Sequence, residues 1–112
     1  GYDRITLLEG NAYTDSFIEE NGIADIPFDI VIDDGSHAWD DMYYFCETYS
    51  KFLAPDGIFV LEDISPWMFA EKHRSKFVKA LPENMQKTAE FFQPGSEKRK
   101  YKTNRVLYSK NS

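Results

Sequence analysis

The sequence predicts an α/β domain in three layers: a largely parallel sheet with helices on both faces, closed by a C-terminal antiparallel hairpin. Three observations point there. Strand-like and helix-like segments alternate along the 112 residues, the pattern of strands joined by helical crossovers. The runs "FDIVIDD" (28–34) and "GIFVLED" (57–63) are apolar at successive rather than alternate positions, as strands covered on both faces are. The stretch between them is long enough for a helical return, and such returns are right-handed.

Each element has its own local reason. "RITLLEG" (4–10) is short, partly β-branched and ended by glycine, which reads as a strand. "TDSFIEENG" (14–22) reads as one or two helical turns, with Thr14 as N-cap and Gly22 as stop. From about 38 to 53, Met42, Phe45, Cys46, Tyr49, Phe52 and Leu53 recur at three- and four-residue steps, which predicts a helix. "APDG" (54–57) ends it, and the second buried strand follows. A further helix is expected over about 69–81, stopped before Pro82. "KTAEFFQ" (87–93) and "NRVLYSK" (104–110), joined through Pro94-Gly95, read as an antiparallel pair.

Composition narrows the function. The chain is large enough for one domain, 1–112, with its own core, and 42% of it is apolar. A net charge of -6 argues against a nucleic-acid partner, because phosphate binding needs clustered cations. The one basic stretch, "SEKRKYKTNR" (96–105), reads as a solvated loop. Cys46 is alone, so no internal disulfide forms, and no apolar run approaches the ~18 residues of a membrane span. No charged-then-apolar leader opens the sequence, and the expectation is a cytoplasmic protein with no membrane partner.

Both central strands end in acids, Asp33-Asp34 and Glu62-Asp63. If the strands are parallel neighbours, these ends lie about 5 Å apart at one edge of the sheet, the edge where open α/β sheets bind ligands. Four carboxylates so close repel, and protonation, cationic side chains or a bound cation must offset that. Neither strand-end loop contains Lys or Arg, so a hard divalent ion is the candidate, Mg²⁺ before Ca²⁺ or Mn²⁺. The bland alternative has the acids capping helices or facing water. His37, three residues past Asp34, is placed to take a proton from an alcohol made acidic by a metal, or to serve as a structural hydrogen bonder. Gly35 permits close backbone approach or positive φ, and Ser36 is a candidate cap for a helix from 37 onward. His73, mid-helix among charges, is expected to face solvent. Trp39, Tyr43 and Tyr44 are expected to pack on or beside the long helix.

"FDIVIDDGSH", a long helix, "LAPDG" and "IFVLEDI" together resemble the second half of class I S-adenosylmethionine-dependent methyltransferases, especially the metal-dependent sugar O-methyltransferases of the macrocin and mycinamicin type. The resemblance covers about residues 4–65. It implies a Rossmann-like fold in which Asp34, Glu62 and Asp63 ligate Mg²⁺ and His37 is the general base that deprotonates a hydroxyl of a sugar or other small molecule. It places Asn11, Ala12 and Asp33 on the S-adenosylmethionine side, Asn11 standing where the family usually has an acid. Trp67, Met68 and Phe69 fall in a substrate-side loop, walling an acceptor or covering the core. The glycines include no Gly-x-Gly pair, and the first residues match the family's third strand. The resemblance therefore implies a domain truncated at its N-terminus, completed by a missing N-terminal half or a homodimer.

Two rivals differ in class. A haloacid-dehalogenase-type phosphatase needs one residue between its two aspartates, whereas Asp33 and Asp34 are adjacent. A non-catalytic Rossmann-like module, serving dimerisation or partner binding, fits the absent glycine-rich loop but leaves the retained acids and His37 without a task.

Overall fold

A computed structural model describes residues 3–93 and 105–112. Helix α1 (Asp15–Glu20) begins as its sequence predicts: the Thr14 side chain accepts the Phe17 N–H at 3.2 Å. Gly22 follows in the left-handed conformation at φ 62°. Strand β1 (Phe28–Asp33) leads to helix α2 (Trp39–Thr48), a short 3₁₀ turn, and strand β2 (Leu53–Leu61). A 3₁₀ turn at Pro66–Phe69 precedes α3 (Glu71–Ala80); α4 (Glu83–Gln86), β3 (Glu90–Phe92) and β4 (Val106–Lys110) complete the order. The basic stretch and the Pro94-Gly95 connection lie almost wholly outside the described residues. None of the described helices is long and apolar enough to cross a membrane.

β1 and β2 are parallel neighbours, with Ile30 opposite Ile58 and Asp33 opposite Leu61. β4 lies antiparallel between β2 and β3, giving the order β1-β2-β4-β3. The chain is α/β and its last two strands form the expected antiparallel pair. The sheet is mixed, however, and is neither largely parallel nor the expected Rossmann-like methyltransferase fold: β4 enters its middle, so both ladders it makes run antiparallel and only β1 and β2 are parallel.

Register divides the sheet into two unlike faces. Val31 and Asp33 share a face with Phe59, Leu61, Leu107 and Ser109. That face meets α2 and α3, with the Phe45 ring stacked on Phe59 at 4.6 Å and Met42, Cys46, Met68, Phe77 and Met85 filling the core around it. Its buried hydroxyl is satisfied, Ser109 donating to the Met85 carbonyl at 2.5 Å. On the opposite face Ile30 and Ile32 are 58% and 57% exposed. The described residues therefore form two layers, not the expected three. Two-sided apolarity in β1 is real, but only one side is covered.

Residues 4–10 depart most from expectation. They form no strand, and Leu7 is 89% exposed. Clefts of about 320 and 210 Å³ run along the free edge of β1, the larger lined by Thr6 and Leu8 opposite Val31 and Ile32. The segment stands off from β1 instead of pairing with it, so it gains no ladder hydrogen bonds to fix it as a strand. β2 begins four residues before the expected "GIFVLED" start. Asn111 explains this: its side chain donates to the Leu53 and Ala54 carbonyls at 3.0 and 3.1 Å. Its backbone also accepts from Asp56 and donates to Gly57.

Candidate functional site

The parallel pairing of β1 and β2 continues one step past the strands, the Glu62 N–H donating to the Asp33 carbonyl at 2.9 Å. This places the Asp33-Asp34 and Glu62-Asp63 pairs side by side at one end of the sheet. Alternation then separates the two aspartates. Asp33 turns to the covered face and is 6% exposed. Its Oδ1 accepts from the Tyr13 hydroxyl at 2.7 Å and the Gly35 N–H at 2.9 Å, while Oδ2 is buried with no partner among the described residues. Burial pushes its pKa up; the two hydrogen bonds and the nearby His37 charge pull the other way.

Asp34 is exposed, and its charge acts on Glu62. Glu62 is held above the ordinary carboxylate range by desolvation first, then by the charges of Asp34 and Asp63, with a side-chain hydrogen bond to Asp34 in the same direction. Neighbouring carboxylates repel one another, and a proton or a bound cation relieves that repulsion. Asp63 sits at φ 57°, a left-handed conformation that is uncommon for a residue with a Cβ and costs energy the surrounding fold must supply. Among the described residues, no Lys or Arg forms an ion pair with Asp34, Glu62 or Asp63. Nor do three or more His, Cys, Asp or Glu side chains among them converge into a metal-binding group. The oxygen-only donor pair of Asp34 and Glu62 suits a hard cation; Asp63 adds charge beside it.

His37 is exposed in the loop between β1 and α2. Ser36 does not cap the helix as expected: its Oγ accepts the Ala38 N–H at 3.1 Å in a local turn, and α2 starts at Trp39 with Ala38 as a cap that uses no side chain. Of the remaining site residues, Ala12 and Asp33 line the 320 Å³ cleft, and Asn11 does not. The Asn11 side-chain oxygen is already used, accepting the Tyr13 N–H at 3.0 Å in a local turn, and the Ala12 carbonyl accepts from the Tyr49 hydroxyl at 2.6 Å.

Sequence reasoning missed Tyr13. Its hydroxyl joins three elements by donating to Asp33 and accepting the Ser36 N–H at 3.1 Å. Contact with Asp33 and burial raise its pKa well above that of a free phenol, desolvation being the larger cause. Gly35 makes room for this arrangement: a Cβ there would lie 2.7 Å from the Tyr13 hydroxyl and 3.3 Å from Asp33 Oδ1. Close approach, not positive φ, is why glycine stands at 35. Gly35→Ala should accordingly lower stability by about 1–3 kcal/mol, the usual cost of overpacking. Adding Tyr13→Phe, which removes the clashing oxygen, should recover part of that loss in thermal unfolding.

The aromatic residues pack in a way the sequence did not indicate. His73 does not stand free in solvent: its ring lies 5.1 Å from Trp39 and 5.2 Å from Trp67, edge-on to both. Partial desolvation, followed by Lys72 and Lys76, lowers its pKa. Met68 belongs to the core, Phe69 packs under Arg74, and Trp67 stays 55% exposed. No family model, curated protein or solved structure matches this chain.

Proposed function

We propose that this chain carries the metal and general-base portion of an S-adenosylmethionine-dependent, Mg²⁺-assisted O-methyltransferase acting on a hydroxyl of a sugar or other small molecule. The observation that carries the reading is the parallel β1/β2 pair, which sets Asp34 against Glu62 one loop away from His37. Asp34 and Glu62 would hold Mg²⁺, with Asp63 adding charge beside them; the ion, when bound, lowers the pKa of an alcohol it contacts. His37 would accept the proton of that hydroxyl. S-adenosylmethionine, when bound, would supply the methyl group, its sulfonium C–S bond breaking to leave the neutral thioether. Toward that cofactor the chain offers Asp33 Oδ2, a buried acceptor without a partner among the described residues and suited to an N–H donor, together with the Ala12 backbone and the Asn11 amide.

A second reading, a non-catalytic α/β module rather than the Rossmann-like one the sequence suggested, is favoured by the edge of β1 that no described strand pairs with. Calorimetric titration with S-adenosylmethionine in the presence and absence of Mg²⁺ discriminates between them. The enzymatic reading expects binding heat that grows with Mg²⁺. No heat under either condition would leave the module reading in its place.

A further inference from the structure

The free edge of β1 is built to pair with an identical edge. Among the described residues β1 stands at the end of the sheet and pairs only with β2; Thr6 and Leu8 lie across the cleft from it without pairing, and it carries none of the Lys or Pro residues that commonly blunt edge strands. Asp33 presents its carbonyl to β2 through the Glu62 N–H. Backbone direction alternates along a strand, so Val31 also faces β2, whereas the N–H and C=O groups of Ile30 and Ile32 point to the free edge.

Residues 29–33 read Asp-Ile-Val-Ile-Asp, the same in both directions. A two-fold axis through Val31 therefore sets Ile30 opposite Ile32 of a second copy, and Ile32 opposite its Ile30. Both are outward-pointing residues that can exchange N–H···O=C bonds, flanking a non-bonded Val31 pair. Side-chain symmetry and hydrogen-bond parity agree on one register. The Ile30 and Ile32 side chains of both copies then cluster on the face that one copy leaves open. The like-charge encounter of Asp29 with Asp33, made twice by symmetry, is relieved because Asp33 is turned to Tyr13 and Gly35.

Leu8, 46% exposed, lines a cleft with Ile30 and Val31 beside this edge. Exposed aliphatic side chains grouped on a surface mark an interaction site, and closed two-fold association is the commonest way to bury them. We infer that a second copy of this chain docks on β1, antiparallel and centred on Val31, to form one continuous sheet across the dimer. This does not depend on the catalytic proposal.

Sedimentation equilibrium of the wild type and of Ile30→Lys across micromolar to submillimolar concentrations tests it. Phe92→Lys, at the far edge strand, is the control, and circular dichroism checks that each variant is folded. The expected result is a species of twice 13.1 kDa that Ile30→Lys shifts to monomer, raising the dissociation constant at least tenfold, while Phe92→Lys does not. A wild type that stays monomeric throughout would overturn the inference and leave the edge to a strand of another polypeptide. A dimer that survives Ile30→Lys would overturn it by placing the interface elsewhere.

Discussion

Phe59→Ala should cost about 3–5 kcal/mol of folding stability, the range for truncating a fully buried aromatic residue. Phe59 has no exposed surface, lies at the centre of the parallel ladder opposite Val31, and stacks on Phe45. The β-sheet cannot collapse into the space, because β2 is hydrogen-bonded to strands on both sides, and α2 is held by Met42 and Cys46 as well as Phe45. A single domain is stable by only about 5–15 kcal/mol in total, so this one change removes a large share. Denaturant unfolding checks it, with Phe92→Ala as reference. Phe92 is 44% exposed on the edge strand β3, and its loss should be much smaller. Equal losses would mean that the core is not centred where the α2/β2 contact places it.

Glu62→Gln should separate binding from folding. Mg²⁺ affinity should fall at least tenfold, since even groups behind a metal's direct ligands change affinity by about 10–100-fold. Stability without metal should hold or rise at neutral pH, because the variant removes one of two carboxyl groups in contact. The pH dependence follows from the sign of the shifts. Glu62 and Asp33 both have folded pKa values above their unfolded ones, so the folded state binds protons more readily than the unfolded state. Their contribution is full below the unfolded carboxylate pKa and is lost as pH rises through the raised folded value. The metal-free wild type should therefore lose stability relative to Glu62→Gln as pH rises through that window, and Mg²⁺ should restore it at neutral pH but not in acid. Thermal melts across pH, with and without Mg²⁺, measure both effects.

The parts of this arrangement that were legible in the sequence are the ones that local pattern decides. Successive apolar residues in "FDIVIDD" and "GIFVLED" identified two central strands, their matching acidic ends identified the shared edge, and Thr14 and Gly22 marked the bounds of α1. What covers a strand is not a local property. The same pattern in β1 implied a third layer, but nothing in residues 28–34 specifies the segment that would supply it, and only one face is covered. Residues 4–10 have a strand's composition without a strand's partner. The Tyr13–Asp33 contact spans twenty residues and has no spacing signature; Gly35 hinted at a close approach without naming what approaches. The position of Trp67 against His73 likewise depends on how the turn after β2 packs on α3, which periodicity does not encode.

The account rests on Asp34 and Glu62 acting together on one cation at the paired ends of β1 and β2. Titrating Mn²⁺ into ¹⁵N-labelled protein and recording paramagnetic broadening of the backbone amides locates that cation directly. The account predicts that the amides of residues 33–37 and 62–64 broaden first and together, and that Asp34→Asn abolishes both groups of effects. Broadening centred on other acids, such as Asp25 or Asp56, or effects at one strand end without the other, would contradict it.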